Sequence, residues 1–90
     1  MRLDKFLQES RLVRRRTLAN RLCDAGRVTL NGRRAKPAAG VGVGDLVEVH
    51  IGVRRLTVKV LRLPAGRPSA EPLVEVVEDR REPQPHEPTL

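Results

Sequence analysis

The chain has 90 residues, and its 18 Lys and Arg outnumber its 11 Asp and Glu to give a formal net charge of +7. This length fits a single small domain with a thin core, because a chain of this size buries only about 60% of its unfolded surface. Cys23 is the only cysteine, which excludes an internal disulfide bond and a metal site built on several cysteines. The apolar runs are too short to span a membrane and the N-terminus lacks the apolar stretch of a signal peptide, so we expect a cytoplasmic protein.

The positive charge is concentrated in the first part of the chain. Residues 1–36 hold 11 basic and 3 acidic side chains, whereas residues 37–66 hold 4 and 2, and residues 67–90 hold 3 and 6. A compact head with such an excess of cations attracts polyanions, of which nucleic acid is the commonest. The alternative is a surface that is merely rich in arginine. Nucleic acid is favoured because the charge lies next to clear structural signals.

The N-terminal residues predict a short amphipathic helix over 3–9, because Leu3, Phe6 and Leu7 recur at helical spacing. Asp4 falls in its first turn, where a carboxylate favours the positive end of the helix dipole. We expect Asp4 to be structural, either as a partner of that dipole or as a clamp on an arginine.

A second helix is predicted over about 15–25, after a connector at 10–13. The helical wheel places three apolar residues on the buried face, Leu18, Leu22 and Ala25, with Ala19 on its flank. It places three polar residues on the other side, Arg16, Asn20 and Asp24. Gly26 is positioned to end the helix in the left-handed conformation.

The following segment predicts a β-hairpin. Residues 27–30 alternate polar and apolar, Asn31-Gly32 favours a two-residue turn with positive φ angles, and residues 33–35 form the returning limb. A glycine-rich loop runs from Lys36 to Asp45. Residues 46–51 and 56–61 are predicted strands because β-branched residues alternate in them, and they join around Gly52.

The composition changes after Leu63. Residues 64–79 are interpreted as a linker with a candidate edge strand over 73–77, and residues 80–90, with three prolines, are expected to be disordered. The predicted fold class is α+β, with two short N-terminal helices packed on a small curled antiparallel sheet.

A series of short motifs occurs in a fixed order along residues 1–63: Met1-Arg-Leu-Asp-Lys-Phe-Leu7, Ser10-Arg-Leu12, Arg15-Arg-Thr-Leu-Ala19, Gly26-Arg-Val28, Asn31-Gly32, Ala35-Lys36 and Val43-Gly-Asp45. In this order the motifs resemble the S-four-type RNA-binding domain, the αL motif first known from ribosomal protein S-four. Each motif alone is weak, but the ordered set is specific. We therefore take residues 1–63 as an RNA-binding domain of this type.

Within that family the chain is most similar to the stand-alone RqcP (YabO) type, a relative of the heat-shock S-four protein that binds stalled large subunits. The heat-shock relative has a longer, basic C-terminal extension, whereas this sequence ends early and acidic, which favours the RqcP type. The resemblance implies a factor of ribosome-associated quality control that binds large-subunit rRNA and peptidyl-tRNA on stalled subunits. It also implies that a partner of the NEMF/RqcH kind adds a C-terminal tail to the nascent chain. We expect the factor to be a monomer.

The arginines at the start of the second helix independently predict an RNA contact, because backbone N–H groups and the helix dipole favour a phosphate there. A guanidinium group also grips phosphate oxygens with two parallel hydrogen bonds. The predicted RNA-binding set is Arg2, Lys5, Arg11, Arg14, Arg15, Arg16, Arg33, Arg34 and Lys36. The resemblance singles out Arg2 and Arg16 as arginines that meet rRNA, while Arg21 and Arg27 could equally face solvent.

The sequence favours recognition of structured RNA by shape and backbone over reading of single strands, because the sheet has no aromatic residue for base stacking. Two alternatives stay open. The domain type is often fused to RNA-modifying enzymes, but no catalytic domain remains after residue 63, so the chain could serve only as an accessory RNA-binding subunit. The acidic tail and the candidate edge strand could instead recruit another protein, or simply act as a solubilising end.

No catalytic chemistry is predicted. We expect Cys23 to be a buried or half-buried thiol, because no histidine lies near it to activate it. His50 lies in a predicted strand and His86 in the tail, so a shared metal is not expected. We therefore predict no catalytic residue, no bound metal and no cofactor.

Overall fold

Two helices precede five strands in the described part of the chain. In the computed structural model, which describes residues 1–64 and 71–81, these elements are α1 (Leu3–Glu9), α2 (Arg16–Asp24), β1 (Val28–Leu30), β2 (Arg33–Arg34), β3 (Leu46–Ile51), β4 (Arg54–Val60) and β5 (Val74–Arg81). The predicted α+β fold is confirmed. Neither helix is long and apolar enough to cross a membrane.

The strands form one antiparallel sheet in the order β2-β1-β3-β4-β5. Asn31 and Gly32 connect β1 to β2 with φ angles of 52° and 84°, the two positive values that a type I′ turn needs. The Asn31 side chain also accepts a hydrogen bond from the Leu46 amide at 2.9 Å and donates one to Asp45 at 3.2 Å. The predicted hairpin is thus confirmed, and its turn is tied to the start of β3.

The core lies between the two helices and one face of the sheet. Most of its fully buried residues come from α1 and from alternate positions of the strands, as the two-residue period of a strand requires: Leu3, Phe6, Leu7, Val28, Val47, Val49, Val58 and Val60. Ala19 of α2 and Val13 of the connector are also fully buried. Phe6 is the largest of the fully buried residues. Burial of a side chain of this size stabilises a fold by roughly 1.5–3 kcal/mol.

The buried face of α2 differs from the predicted one. Ala19, Leu22 and Cys23 are buried, whereas Leu18 is 41% exposed and Ala25 is exposed. Small side chains at positions 19 and 23 let α2 pack closely, and this turns Leu18 outward. The prediction of a Leu18–Leu22–Ala25 face was therefore wrong in its rotation, while the expected burial of Cys23 is confirmed.

The end of α2 is a Schellman motif. Gly26 has a φ of 73°, its N–H donates to the Cys23 carbonyl at 3.0 Å, and the Arg27 N–H donates to the Leu22 carbonyl at 2.9 Å. These bonds satisfy carbonyls that would otherwise lack a partner at the helix end. The predicted role of Gly26 is confirmed.

The edge strand β5 is longer than the predicted strand over 73–77. It pairs with β4 from Val74 to Arg81, with a register shift between Thr57 and Val58 on β4. Arg80 and Arg81 therefore belong to the sheet rather than to the predicted disordered tail. Residues 65–70 and 82–90 lie outside the described residues, so the linker and tail predictions for them stay predictions.

Candidate nucleic-acid interface

Asp4 is the hub of the polar contacts between the two helices. It lies in the first turn of α1 with 1% of its side chain exposed. Its Oδ1 accepts hydrogen bonds from Arg2 Nε at 3.2 Å and from the Lys5 backbone N–H at 2.7 Å. Its Oδ2 accepts from Arg2 Nη2 at 3.2 Å and from Asn20 Nδ2 at 2.7 Å. Arg16 Nε lies 3.3 Å from the same Oδ2, so one carboxylate holds two guanidinium groups.

These contacts keep the Asp4 carboxylate ionised. Burial raises the pKa of a carboxyl group because it disfavours the charged form. Here hydrogen bonds from Arg2, Asn20, Lys5 and Arg16 outweigh burial, and together they lower the pKa of Asp4 to about 2. The sequence proposed a dipole partner or an arginine clamp, and the structure confirms the clamp.

Arg2 and Arg16 both lie at the start of a helix. Arg2 is the N-cap residue of α1 and Arg16 is the first residue of α2. Their side chains are 53% and 48% exposed, so both guanidinium groups meet Asp4 from the solvent side. A cation at a helix start opposes the helix dipole, and Asp4 offsets that cost. An anion bound here would interact favourably with the dipole of α2 and with both arginines.

The loop after β2 brings a further basic segment to this place. The Asp4 N–H donates to the Pro37 carbonyl at 3.1 Å, and the Leu3 N–H donates to the Ala39 carbonyl at 2.9 Å. Lys36, which directly precedes this contact, is exposed. The structure therefore gathers three separate segments around the start of α1: residues 1–5, residues 14–16 and the loop at 36–39.

Most of the predicted RNA-binding cations lack acidic partners. Within residues 1–64 and 71–81, seven exposed members of the set form no ion pair and no side-chain hydrogen bond: Lys5, Arg11, Arg14, Arg15, Arg33, Arg34 and Lys36. By contrast, four arginines of the second half pair with carboxylates: Arg54 with Asp79, Arg55 with Glu48, Arg62 with Glu71 and Arg80 with Glu78. The positive potential is therefore concentrated on the helix and hairpin side of the molecule.

The structure does not bring every predicted residue to the hub. Arg11 follows α1 at the end away from Arg2, at least about 10 Å further along the helix axis. Arg33 and Arg34 lie on β2, next to the loop that contains Lys36. The two-helix hub thus contains Arg2 and Arg16, and the remaining cations extend the surface around it.

Two contacts at this surface were not predicted from the sequence. Asn20 was placed on the side of α2 away from the core, yet its side chain donates a hydrogen bond to Asp4 and so links α2 to α1. Its spacing of four residues from Arg16, which places both residues on one face of α2, was the signal that could have indicated this contact. Gly26 has a second role, because a Cβ at this position would collide with Nη2, Cζ and Nε of Arg34. The Arg34 guanidinium therefore packs against Gly26.

Cys23 and His50 lie among residues of the core and the sheet in this structure. Cys23 is buried, and burial together with the charges of Asp4 and Asp24 raises the pKa of its thiol to about 11. His50 lies on β3 beside Glu48 and Arg55. In the described ranges, no cluster of three or more His, Cys, Asp or Glu could hold a metal ion.

Comparison with known proteins assigns this arrangement to a family. The family model of the S4 domain matches residues 1–47. An RQC P-site tRNA stabilizing factor of Bacillus subtilis is 49% identical over 63 residues, covering 70% of this chain and 73% of that protein. The chain belongs to the S4-domain family that includes these factors. The family expected from the sequence is therefore confirmed.

Further relatives match a larger share of the chain. An RQC P-site tRNA stabilizing factor of Streptococcus pneumoniae is 39% identical over 83 residues, covering 90% of this chain and 94% of its own length. A solved structure of heat shock protein 15 from Vibrio cholerae, described as trimeric, has a TM-score of 0.77 at 30% identity. It covers 86% of this chain and 81% of the solved chain. The two-helix and five-strand fold is thus shared with this neighbour.

Proposed function

We propose that this protein is a non-enzymatic RNA-binding factor of ribosome-associated quality control. It binds stalled large ribosomal subunits, contacting rRNA and peptidyl-tRNA, through the surface centred on Arg2 and Arg16. The observation on which this rests is the buried Asp4 carboxylate that holds both arginines at the helix starts with half of each side chain exposed. The names of its relatives, which refer to stabilisation of P-site tRNA, support the same function.

The arrangement suits the sugar-phosphate framework of folded RNA. Arg16 uses its Nε toward Asp4, so its two terminal nitrogens remain for other acceptors in the described structure. A guanidinium whose orientation is already fixed loses less conformational freedom when it grips a phosphate. The seven exposed cations without partners add a long-range attraction for the polyanion. Binding of this kind needs no catalytic group.

We further propose that the factor holds the tRNA while a partner of the NEMF/RqcH kind extends the nascent chain. The tRNA would bind to the same basic surface, because tRNA and rRNA carry identical phosphate groups. This step depends on the partner, and a reconstituted tailing reaction with and without the factor tests it. The expected result is a shorter or absent tail without the factor.

Co-sedimentation with purified large subunits over a range of salt concentrations tests the central proposal. Arg16→Ala and Arg2→Ala should each weaken association roughly tenfold or more, because a hydrogen bond to a charged group contributes about 1.5–3 kcal/mol. Each should also reduce the slope of log affinity against log salt concentration by about one, as expected for the loss of one phosphate contact. Arg54→Ala is the matched control, because Arg54 is an exposed arginine that pairs with Asp79 on the far part of the sheet. Unchanged association in both test variants would show that the RNA-binding surface lies elsewhere.

A further inference from the structure

An open groove lies next to the surface centred on Arg2 and Arg16, between β2 and the loop that follows it. Its volume is about 460 Å³. It is lined by four apolar residues, Leu30, Ala35, Ala38 and Ala39, which we call its floor, and by three exposed cations, Arg33, Arg34 and Lys36, which we call its rim. We call it the alanine groove. We propose that it receives a single unstacked nucleobase of the bound RNA, an inference that rests on the proposed function and adds a base-binding subsite to it.

The floor of the groove is fixed in place from below. Leu30, Ala35 and Ala39 are partly buried and pack against the hydrophobic core, while Ala38 is exposed. Methyl groups are the smallest apolar side chains, so this floor leaves room for a flat ring above it. The volume falls in the range of about 300–1,000 Å³ that is typical of small-molecule sites. A planar, weakly polar group therefore fits the floor.

The rim supplies the charge that a nucleotide needs. Leu30 and Arg33 are directly paired between β1 and β2, so their side chains share a face of the sheet. Neither Arg33 nor Lys36 forms an ion pair with another residue of the described ranges. A guanidinium can stack on the face of a base, and an ammonium can attract the phosphate beside it. Phe6 is the only Phe, Tyr or Trp of the chain and is fully buried, so the guanidinium groups of Arg33 and Arg34 are the planar groups that line the groove.

The position of the groove connects it to the helix surface. Pro37 and Ala39, in the loop that borders the groove, accept backbone hydrogen bonds from Asp4 and Leu3 at the start of α1. An RNA strand held by Arg2 and Arg16 would therefore pass close to the groove opening. The cations at the rim complement a nucleotide, whereas an apolar side chain of a protein partner would leave them without an acceptor. Charge thus favours the nucleobase as the occupant.

NMR titration of the whole protein with adenosine 5′-monophosphate tests this assignment. The methyl signals of Leu30, Ala35, Ala38 and Ala39 should move upfield, because a base stacked above them exerts a ring current. Inorganic phosphate at the same concentration should leave these methyl signals in place. Ala38→Leu, which fills the groove without altering charge, should weaken the nucleotide affinity at least about fivefold, the lower end of the contribution of one stacked base. Ala38→Ser is the matched control and should retain binding, since it keeps the groove open.

Three results would overturn the inference. The first is equal methyl shifts with phosphate and nucleotide, which would show an electrostatic effect alone, and the second is nucleotide binding that Ala38→Leu leaves unchanged. The third is a larger shift with N-acetyl-leucine amide, which would assign the groove to a protein partner. The proposed function is judged separately, by the dependence of large-subunit association on Arg2 and Arg16. The two experiments therefore distinguish a protein that binds RNA but has no base-binding groove from a protein for which both proposals fail.

Discussion

Replacement of Asp4 by Asn tests the physical basis of the helix hub. Asn keeps the shape of the side chain but removes the charge that holds Arg2 and Arg16. In the folded protein the pKa of Asp4 falls from its ordinary 3.8 to about 2, which corresponds to about 2 kcal/mol of stability at neutral pH. Because the folded pKa lies below the unfolded one, this contribution is present above about pH 4–5 and is lost as the pH falls toward 2. Asp4→Asn lacks it at every pH.

Urea unfolding of both proteins at pH 7 and at pH 2 measures the difference directly. The free energy of unfolding of the wild type should fall by about 2 kcal/mol more than that of Asp4→Asn between these pH values, because the two proteins have every other carboxylate in common. Asp79→Asn is the control. Its carboxylate also has a lowered pKa beside Arg54 but is exposed to solvent, so its replacement should change the pH dependence much less. An equal loss of stability in the wild type and Asp4→Asn would refute the claim that Asp4 is held as a buried anion.

Three further outcomes follow from the packing. Phe6→Ala should destabilise the protein by about 3–5 kcal/mol, measured by thermal unfolding, because Phe6 is fully buried at the centre of the core; a loss below about 1 kcal/mol would contradict that placement. Gly26→Ala should lower the free energy of unfolding by about 1 kcal/mol or more, because φ is 73° there and the added methyl displaces Arg34. Ala25→Gly is the control, since it leaves the φ of residue 26 unaffected. Cys23 should react slowly with a thiol reagent at pH 8 in the folded protein and quickly in urea, since burial raises the pKa of its thiol to about 11.

Features that depend on neighbouring residues could be predicted from the order of the amino acids. Asn31-Gly32 forms the expected turn and Gly26 ends α2 as expected, because in both cases the positive φ is a property of the local chain. The positions of the two helices follow from the same kind of local periodicity. The basic character of the first part of the chain, and the ordered motifs that mark the S4 domain, are likewise properties of the sequence alone.

The rotation of α2 depended on the tertiary structure. Leu18 and Ala19 are adjacent in sequence and about 100° apart on the helical wheel. Hydrophobicity favoured Leu18 for the core, but Ala19 is the residue that is buried. Close packing against α1 and the hydrogen bond from Asn20 to Asp4, across 16 positions of the chain, decide between them. A helical wheel describes one helix in isolation and contains no information about such a contact.

The same distinction between local and tertiary features applies to the functional surface. Composition and order of the residues were sufficient to establish a small α+β protein with a cationic head and to place arginines at the start of a helix. Only the folded chain shows which arginines share the Asp4 carboxylate, that Arg54, Arg55, Arg62 and Arg80 form ion pairs with carboxylates, and that a groove opens beside β2. The physical reason is distance: turns and caps depend on adjacent residues, whereas the hub and the groove require contacts between segments far apart in the chain.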